Sequence, residues 1–204
     1  MAGDNRGEPK KRVLLLLADG VELLEAAAFT DVLGWADTHG SERIEVVCAG
    51  LRPRLRCTFG PDLIPDVLLD QVAPADFDAL AVPGGFKAAG FYTDAYAEPF
   101  LDVIRAFDSA GKPIAAICVG ALPVARSGVL SGRRATTYKL LGGNSRKQLA
   151  GFGAEVVDAS IVRDGNVITS TGPSTSVPVA LRLVEILTSP ENAAQIRELM
   201  GFEA

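Results

Sequence analysis

The sequence predicts an α/β fold, a doubly wound and mostly parallel sheet with helices on both faces. Three observations predict it. Apolar runs of strand length alternate with longer stretches of helical periodicity along the whole chain. Those runs are continuous rather than alternating, as strands covered on both faces require. No low-complexity linker or internal repeat divides the 204 residues, a length that suits one domain. One domain is therefore expected over residues 11–204, after a polar, disordered N-terminal stretch over residues 1–10.

Residues 12–18 (RVLLLLA) make the first buried strand. Residues 21–37 follow as a helix with Leu24, Ala27, Ala28 and Val32 on one face, and Gly40 stops it. Residues 44–49 (IEVVCA) are the next strand. Residues 51–75 carry several prolines and read as irregular, with weak strands. Residues 79–82 form a strand that ends in Pro83-Gly84-Gly85. Residues 98–110 are helical until Gly111. Residues 113–117 form a strand that ends at Cys118, and residues 121–127 a helix. A short strand at 135–137, a helix at 144–150 and a strand at 155–157 follow. Residues 162–170 form two strands with a turn at Asp164-Gly165, and helices over 178–187 and 192–199 close the chain.

Composition bounds the function. Hydrophobic residues make up 48% and charged residues 22%, which supports a large core and argues against disorder. A net charge of −5 gives no electrostatic reason to expect nucleic acid. No apolar run approaches the roughly 20 residues that span a bilayer, and no signal-peptide pattern opens the chain, so a cytoplasmic protein with no membrane partner is expected. The three cysteines, Cys48, Cys57 and Cys118, form no CxxC pair and no metal spacing. Such a sparse, odd count fits a reducing compartment.

In doubly wound sheets the working site lies beyond the carboxyl ends of the strands. Four segments qualify. In KPIAAICVGA (residues 112–121) a buried strand runs into Cys118 and then a helix, with Ala116 and Gly120 as the small residues of a tight nucleophile elbow. A helix N-terminus after the thiol is expected to lower its pKa, so that it reacts as thiolate. In ADGVELLEA (18–26) Glu22 and Glu25 lie three apart at the start of a helix, where a carboxyl group can move a proton to or from the thiol. In VPGGF (82–86) paired glycines permit close backbone approach, and their N–H groups can form an oxyanion hole with that of Val119. TSTGPSTS (169–176) can line a pocket or cap the next helix. A structural cysteine, dipole-pairing acids, a tight turn and a helix cap would explain each segment singly; what joins them is one sheet edge. The only histidine, His39, ends the first helix at the opposite edge, which excludes a Cys–His dyad within the chain. Cys48 and Cys57 lack an elbow and read as structural, Cys57 as the more exposed and oxidisable of the two.

Taken together, the runs ADGVELLEAAAFTDVLGWA, VPGG, KPIAAICVGA, RATTY and DGNVITSTGPSTSVPVALRLVEIL resemble the DJ-one/PfpI (ThiJ) superfamily, with its flavodoxin-like, class I glutamine-amidotransferase-like fold. The resemblance spans residues 11–196. It implies Cys118 as nucleophile, Glu25 as the site glutamate, and Gly85 and Val119 as the oxyanion amides. It also implies a homodimer that needs no metal and no cofactor. One position departs from the family pattern. Many members carry histidine after the two threonines of RATT, and this chain carries Tyr138. A phenol with an ordinary pKa of about 10 is a poor base, which leaves Glu25 for acid/base work.

The resulting expectation is an enzyme in which Cys118 attacks a small electrophilic carbon, by glyoxalase-type dicarbonyl conversion or a related hydration or hydrolysis. Gly85 and Val119 would hold the oxyanion, Glu25 would move the proton, and Tyr138 and Glu22 would bind a small-molecule substrate. Two other readings use the same residues. In one, a stress-protective redox sensor works through Cys118 oxidation. In the other, a specialised-metabolism enzyme has a pocket rebuilt around Tyr138.

Overall fold

The computed structural model describes residues 10–142 and 144–202. The expected disorder of the N-terminal stretch falls on residues 1–9, outside the described residues. Lys10 belongs to the fold, since its Nζ donates to Asp37 Oδ2 at 3.0 Å.

Seven strands form the central sheet: β1 (Lys11–Leu17), β2 (Ile44–Gly50), β5 (Val67–Leu68), β6 (Ala79–Val82), β7 (Ile114–Ala116), β10 (Ile161–Asp164) and β11 (Val167–Ser170). Their order is β10-β11-β7-β6-β1-β2-β5. Every pairing is parallel except β10 with β11, the hairpin expected at Asp164-Gly165. The chain leaves β1 outward to β2 and returns on the other side to β6. The topological switch point therefore lies between β1 and β6, where such sheets open a crevice at their carboxyl ends. The core strands β1, β6 and β7 are buried almost throughout, which is why they read as unbroken apolar runs.

Helices α1 (Leu23–His39), α6 (Ser176–Leu187) and α7 (Pro190–Leu199) pack together as one group. Helix α3 (Glu98–Ser109) packs on β6, β7 and α4 (Ala121–Arg126), and α4 packs on α5 (Asn144–Gly151). A single apolar cluster runs through both groups and the sheet, from Val13 to Ile196. Ser189 caps α7, accepting the Asn192 N–H at 3.2 Å.

The structure corrects several expectations. Helix α1 begins at Leu23, because Val21 and Glu22 are extended and Val21 pairs with Gly85. Its buried face is Ala26, Ala28, Phe29, Val32, Leu33 and Ala36, with Glu25 among them, while Leu24 is exposed. The helix is apolar around most of its surface, so periodicity alone misplaces the stripe. Residues 51–75 hold a two-strand hairpin, β3 (Leu55–Arg56) with β4 (Asp62–Leu63), besides β5. The predicted strands near 135 and 155 leave the main sheet and pair with each other, β8 (Arg134–Ala135) with β9 (Glu155–Val156). A five-residue helix, α2 (Phe91–Ala95), has no counterpart in the sequence reading. Among the described residues no helix is long and apolar enough to cross a membrane.

Candidate active site

Strand β7 runs through extended Ile117 into Cys118, which takes a left-handed backbone with φ 58°. A non-glycine residue there costs on the order of 1–2 kcal/mol, so surrounding contacts must hold it. The Ile117 N–H donates to Val82 O at 3.1 Å, the Gly120 N–H to Ile117 O at 2.8 Å, and Thr137 Oγ1 to Cys118 O at 2.7 Å. Gly120 lets the turn sit against β6, since a Cβ there would lie 2.4 Å from Val82 O. This is the expected elbow.

The exits of β1 and β6 are stitched together beside it. The Glu22 N–H donates to Gly84 O at 2.9 Å and the Phe86 N–H to Gly20 O at 3.2 Å. From α2, buried Asp94 accepts the Asp19 N–H at 3.1 Å and the Arg52 guanidinium at 2.7 Å, fixing the same turn from below. Gly84 is the meeting point. A Cβ on it would lie 3.0 Å from Glu25 Oε2, 3.0 Å from the Val119 nitrogen and 3.1 Å from Cys118 Cβ. Carboxylate, amide and thiol therefore surround one spot that only glycine leaves open.

Glu25 is fully buried and accepts the Gly84 N–H on Oε2 at 2.6 Å. Burial raises its pKa to about 8, against the lowering effect of that N–H, with the nearby Glu22 charge adding to the rise and the Cys118 thiol opposing it. Burial also raises the Glu22 pKa. Cys118, 5% exposed, has its thiol pKa pushed up by burial first and by the Glu25 carboxylate second; the Val119 N–H to its sulfur pulls the other way and loses. This reverses the expected lowering. The following helix, α4, has only six residues, and one amide does not outweigh desolvation next to an acid. The thiol and the carboxyl are thus a coupled pair in which the charged carboxyl opposes ionisation of the thiol.

A cavity of about 430 Å³ opens above this pair. Five of the expected site residues line it: Cys118, Val119, Gly85, Glu22 and Tyr138. Glu25 is not among the lining residues; its carboxyl sits directly behind the Cys118 sulfur, within hydrogen-bond reach of it. The Gly85 N–H has no acceptor among the described residues. Tyr138 is half-buried with its ring against Gly172, where an added Cβ would lie 3.3 Å from Cδ2. Of the 169–176 loop, Pro173 reaches the cavity, while Thr175 Oγ1 spends its hydrogen bonds inside the loop on Ser170 Oγ and Gly172 O.

Phe86, the last residue of the VPGGF segment, also lines the cavity; sequence reasoning missed Tyr92, Leu140 and Leu141, which line it too, and the polar face of α5. Tyr92 sits on the unforeseen helix α2. The adjacent leucines in an otherwise polar stretch were a signal that the reading left unused. His39 packs on Trp35, ring centroids 4.9 Å apart, and takes no part in the cavity. Cys57 is 2% exposed, in the loop that joins β3 to β4, where its N–H donates to Pro61 O at 2.8 Å, whereas Cys48 is half-buried. The expected order of their exposure is thus reversed. No three His, Cys, Asp or Glu side chains gather as metal ligands among the described residues.

Fold and site together define a doubly wound α/β protein with a cysteine on a tight, left-handed strand-to-helix turn backed by a buried glutamate. The chain belongs to the DJ-1/PfpI family, whose profile matches residues 11–186. It is 35% identical to protein dj-1beta of Drosophila melanogaster over 190 residues, 91% of this chain and 94% of that one. The crystal structure of Drosophila melanogaster DJ-1beta superposes with a TM-score of 0.84 at 32% identity, covering 96% of this chain and all of that one (100%). A deglycase of Thermococcus kodakarensis is 32% identical over 163 residues, 79% of this chain and 90% of that one. A glutathione-independent glyoxalase of Caenorhabditis elegans is 28% identical over 182 residues, 89% of this chain and 91% of that one.

Proposed function

We propose that this protein is a cysteine-dependent enzyme that converts 2-oxoaldehydes to 2-hydroxy acids with water and without a cofactor. The observation that carries the reading is Glu25, buried directly behind Cys118 with its pKa raised to about 8, in the range where a carboxyl group both gives and takes protons. The deglycase and glyoxalase relatives support it.

Glu25 takes the thiol proton as the sulfur attacks the aldehyde carbon. The oxyanion that forms rests on the N–H groups of Gly85 and Val119. Glu25 returns the proton to that oxygen, giving a hemithioacetal. It next removes the hydrogen of the former aldehyde carbon as a proton, which leaves an enediolate with its charge on the second oxygen. Returning this proton to the neighbouring carbon, while the hydroxyl proton passes from the first oxygen to the second, gives a thioester with an adjacent hydroxyl. Water then cleaves the thioester, releasing the 2-hydroxy acid and the thiol. Oxidation at one carbon balances reduction at the next, so no redox partner is needed. Tyr138 and Glu22 orient the dicarbonyl from the cavity wall. Family membership also supports a homodimer as the working unit.

The test is D- or L-lactate formed from methylglyoxal without glutathione, by wild type and Cys118→Ala. Lactate from wild type alone is the expected result. Equal rates in both would overturn the reading.

A further inference from the structure

The cavity over Cys118 is larger and more apolar than a three-carbon dicarbonyl needs. Its volume of about 430 Å³ falls in the range that encloses drug-sized ligands, roughly 300–1,000 Å³. Methylglyoxal has five heavy atoms and would leave most of that space to water. The larger apolar and aromatic side chains of its lining are Phe86, Tyr92, Tyr138, Leu140, Leu141 and Pro173. Leu140 is 64% exposed and Leu141 81%, so each still has most of its apolar surface to bury. Of the polar lining side chains, Lys87, Asn144 and Gln148 are exposed, Ser145 is half-buried, and Glu22 is the buried one, assigned to the dicarbonyl head.

The backbone gives a second, independent observation. Leu141 is left-handed, with φ 49°, and Cys118 is the only other non-glycine residue so placed among the described residues. Leucine takes this conformation against steric resistance, whereas glycine or asparagine takes it readily. The chain thus sets a large apolar side chain at the cavity rim where a turn alone would call for a small or polar one.

From these observations, and resting on the proposed oxoaldehyde chemistry, we infer that the site selects carbonyl substrates bearing an apolar substituent of aryl size. Tyr138, Leu140 and Leu141 cover that substituent while the dicarbonyl head sits at Cys118. Tyr138 then serves substrate size as well as orientation.

Two readouts test this. The first is kcat/KM for phenylglyoxal against methylglyoxal, in wild type and in Leu140→Ala/Leu141→Asn; asparagine keeps the left-handed turn while removing the apolar surface. Phenylglyoxal should be favoured by about tenfold or more, and the double variant should lose most of that preference. The second needs no turnover. Mandelate and lactate, the unreactive products, compete with iodoacetamide for Cys118 in the same two proteins. Mandelate should protect at concentrations about tenfold lower than lactate in wild type, with the gap closing in the variant. Discrimination in the protection assay without turnover of either aldehyde would support the pocket preference and remove the oxoaldehyde chemistry. Equal protection by both acids, or a methylglyoxal preference unchanged by the variant, would overturn the inference.

Discussion

The Gly84 N–H donates to Glu25 Oε2 at 2.6 Å, joining the end of β6 to the first turn of α1. That bond tethers a carboxyl group inside the core, yet burial still dominates its titration and lifts its pKa from 4.5 to about 8. The fold therefore favours the protonated acid. Stability from this group is complete below pH 4.5, where both folded and unfolded chains hold the proton. It is lost as pH rises through 8, where the unfolded chain is ionised and the folded chain must follow.

Glu25→Gln removes that loss while keeping an oxygen for the Gly84 N–H. Urea unfolding at pH 5 and pH 9 should show the variant gaining on wild type as pH rises, by an amount on the order of a few kcal/mol. A difference that does not change between the two pH values would mean that Glu25 is not held protonated by the fold.

The same substitution acts on the thiol. Burial and the Glu25 charge are the two largest causes raising the Cys118 pKa, and only the second disappears in Glu25→Gln. At pH 9 the variant should alkylate at Cys118 about tenfold faster than wild type, while at pH 6 both should react slowly. Turnover should fall by about 10²-fold or more, because glutamine cannot carry a proton. Peptide-mapped iodoacetamide labelling and initial rates measure the two effects. Fast labelling of wild-type Cys118 at pH 6 would show a free thiolate and contradict the coupled pair.

The sequence made some of this site legible and hid the rest for physical reasons. Cys118, Gly85, Val119 and Glu22 sit at strand ends, and strand ends are marked by apolar runs breaking into glycine, so their convergence followed from the fold class alone. Glu25 was a candidate by its place at the same edge, but its choice over Glu22 came from family resemblance, as did Tyr138, since a carboxylate in a first helical turn looks like any dipole partner. The direction of the Cys118 shift depends on how deeply tertiary packing buries the elbow, which no local pattern records. The burial of Cys57 in the β3–β4 hairpin and the approach of Tyr92 on α2 depend on short elements with too few residues to show a period.

Gly120 separates packing from chemistry. Alanine there would press its Cβ to 2.4 Å from Val82 O, a rigid backbone atom, so Gly120→Ala should destabilise by about 1–3 kcal/mol and loosen the elbow. Gly84→Ala meets contacts of 3.0–3.1 Å from Glu25 Oε2, the Val119 nitrogen and Cys118 Cβ, which yield more easily. It should cost less stability than Gly120→Ala and more activity per unit of stability lost. Thermal midpoints set beside kcat for the two variants decide it. Parallel losses in both would mean that the glycines serve packing alone.

Tyr138 decides how the pocket is used. Its ring rests on Gly172 and the residue lines the cavity, so Tyr138→Phe keeps the packing and removes only the hydroxyl. If that hydroxyl holds a substrate oxygen, its removal should cost about 1–3 kcal/mol in kcat/KM, a factor of roughly 5 to 150, with the folding midpoint unchanged. Tyr138→His restores the imidazole common in the family but shortens the apolar wall. It should raise the rate on methylglyoxal, where proton relay helps and size does not matter. On phenylglyoxal it should lower the rate, where the ring's surface is lost. Rates on both aldehydes for wild type and the two variants give four ratios, and the sign of the histidine effect must differ between substrates. Vigorous wild-type turnover of methylglyoxal that neither substitution alters would leave Tyr138 as a filler and remove it from the mechanism.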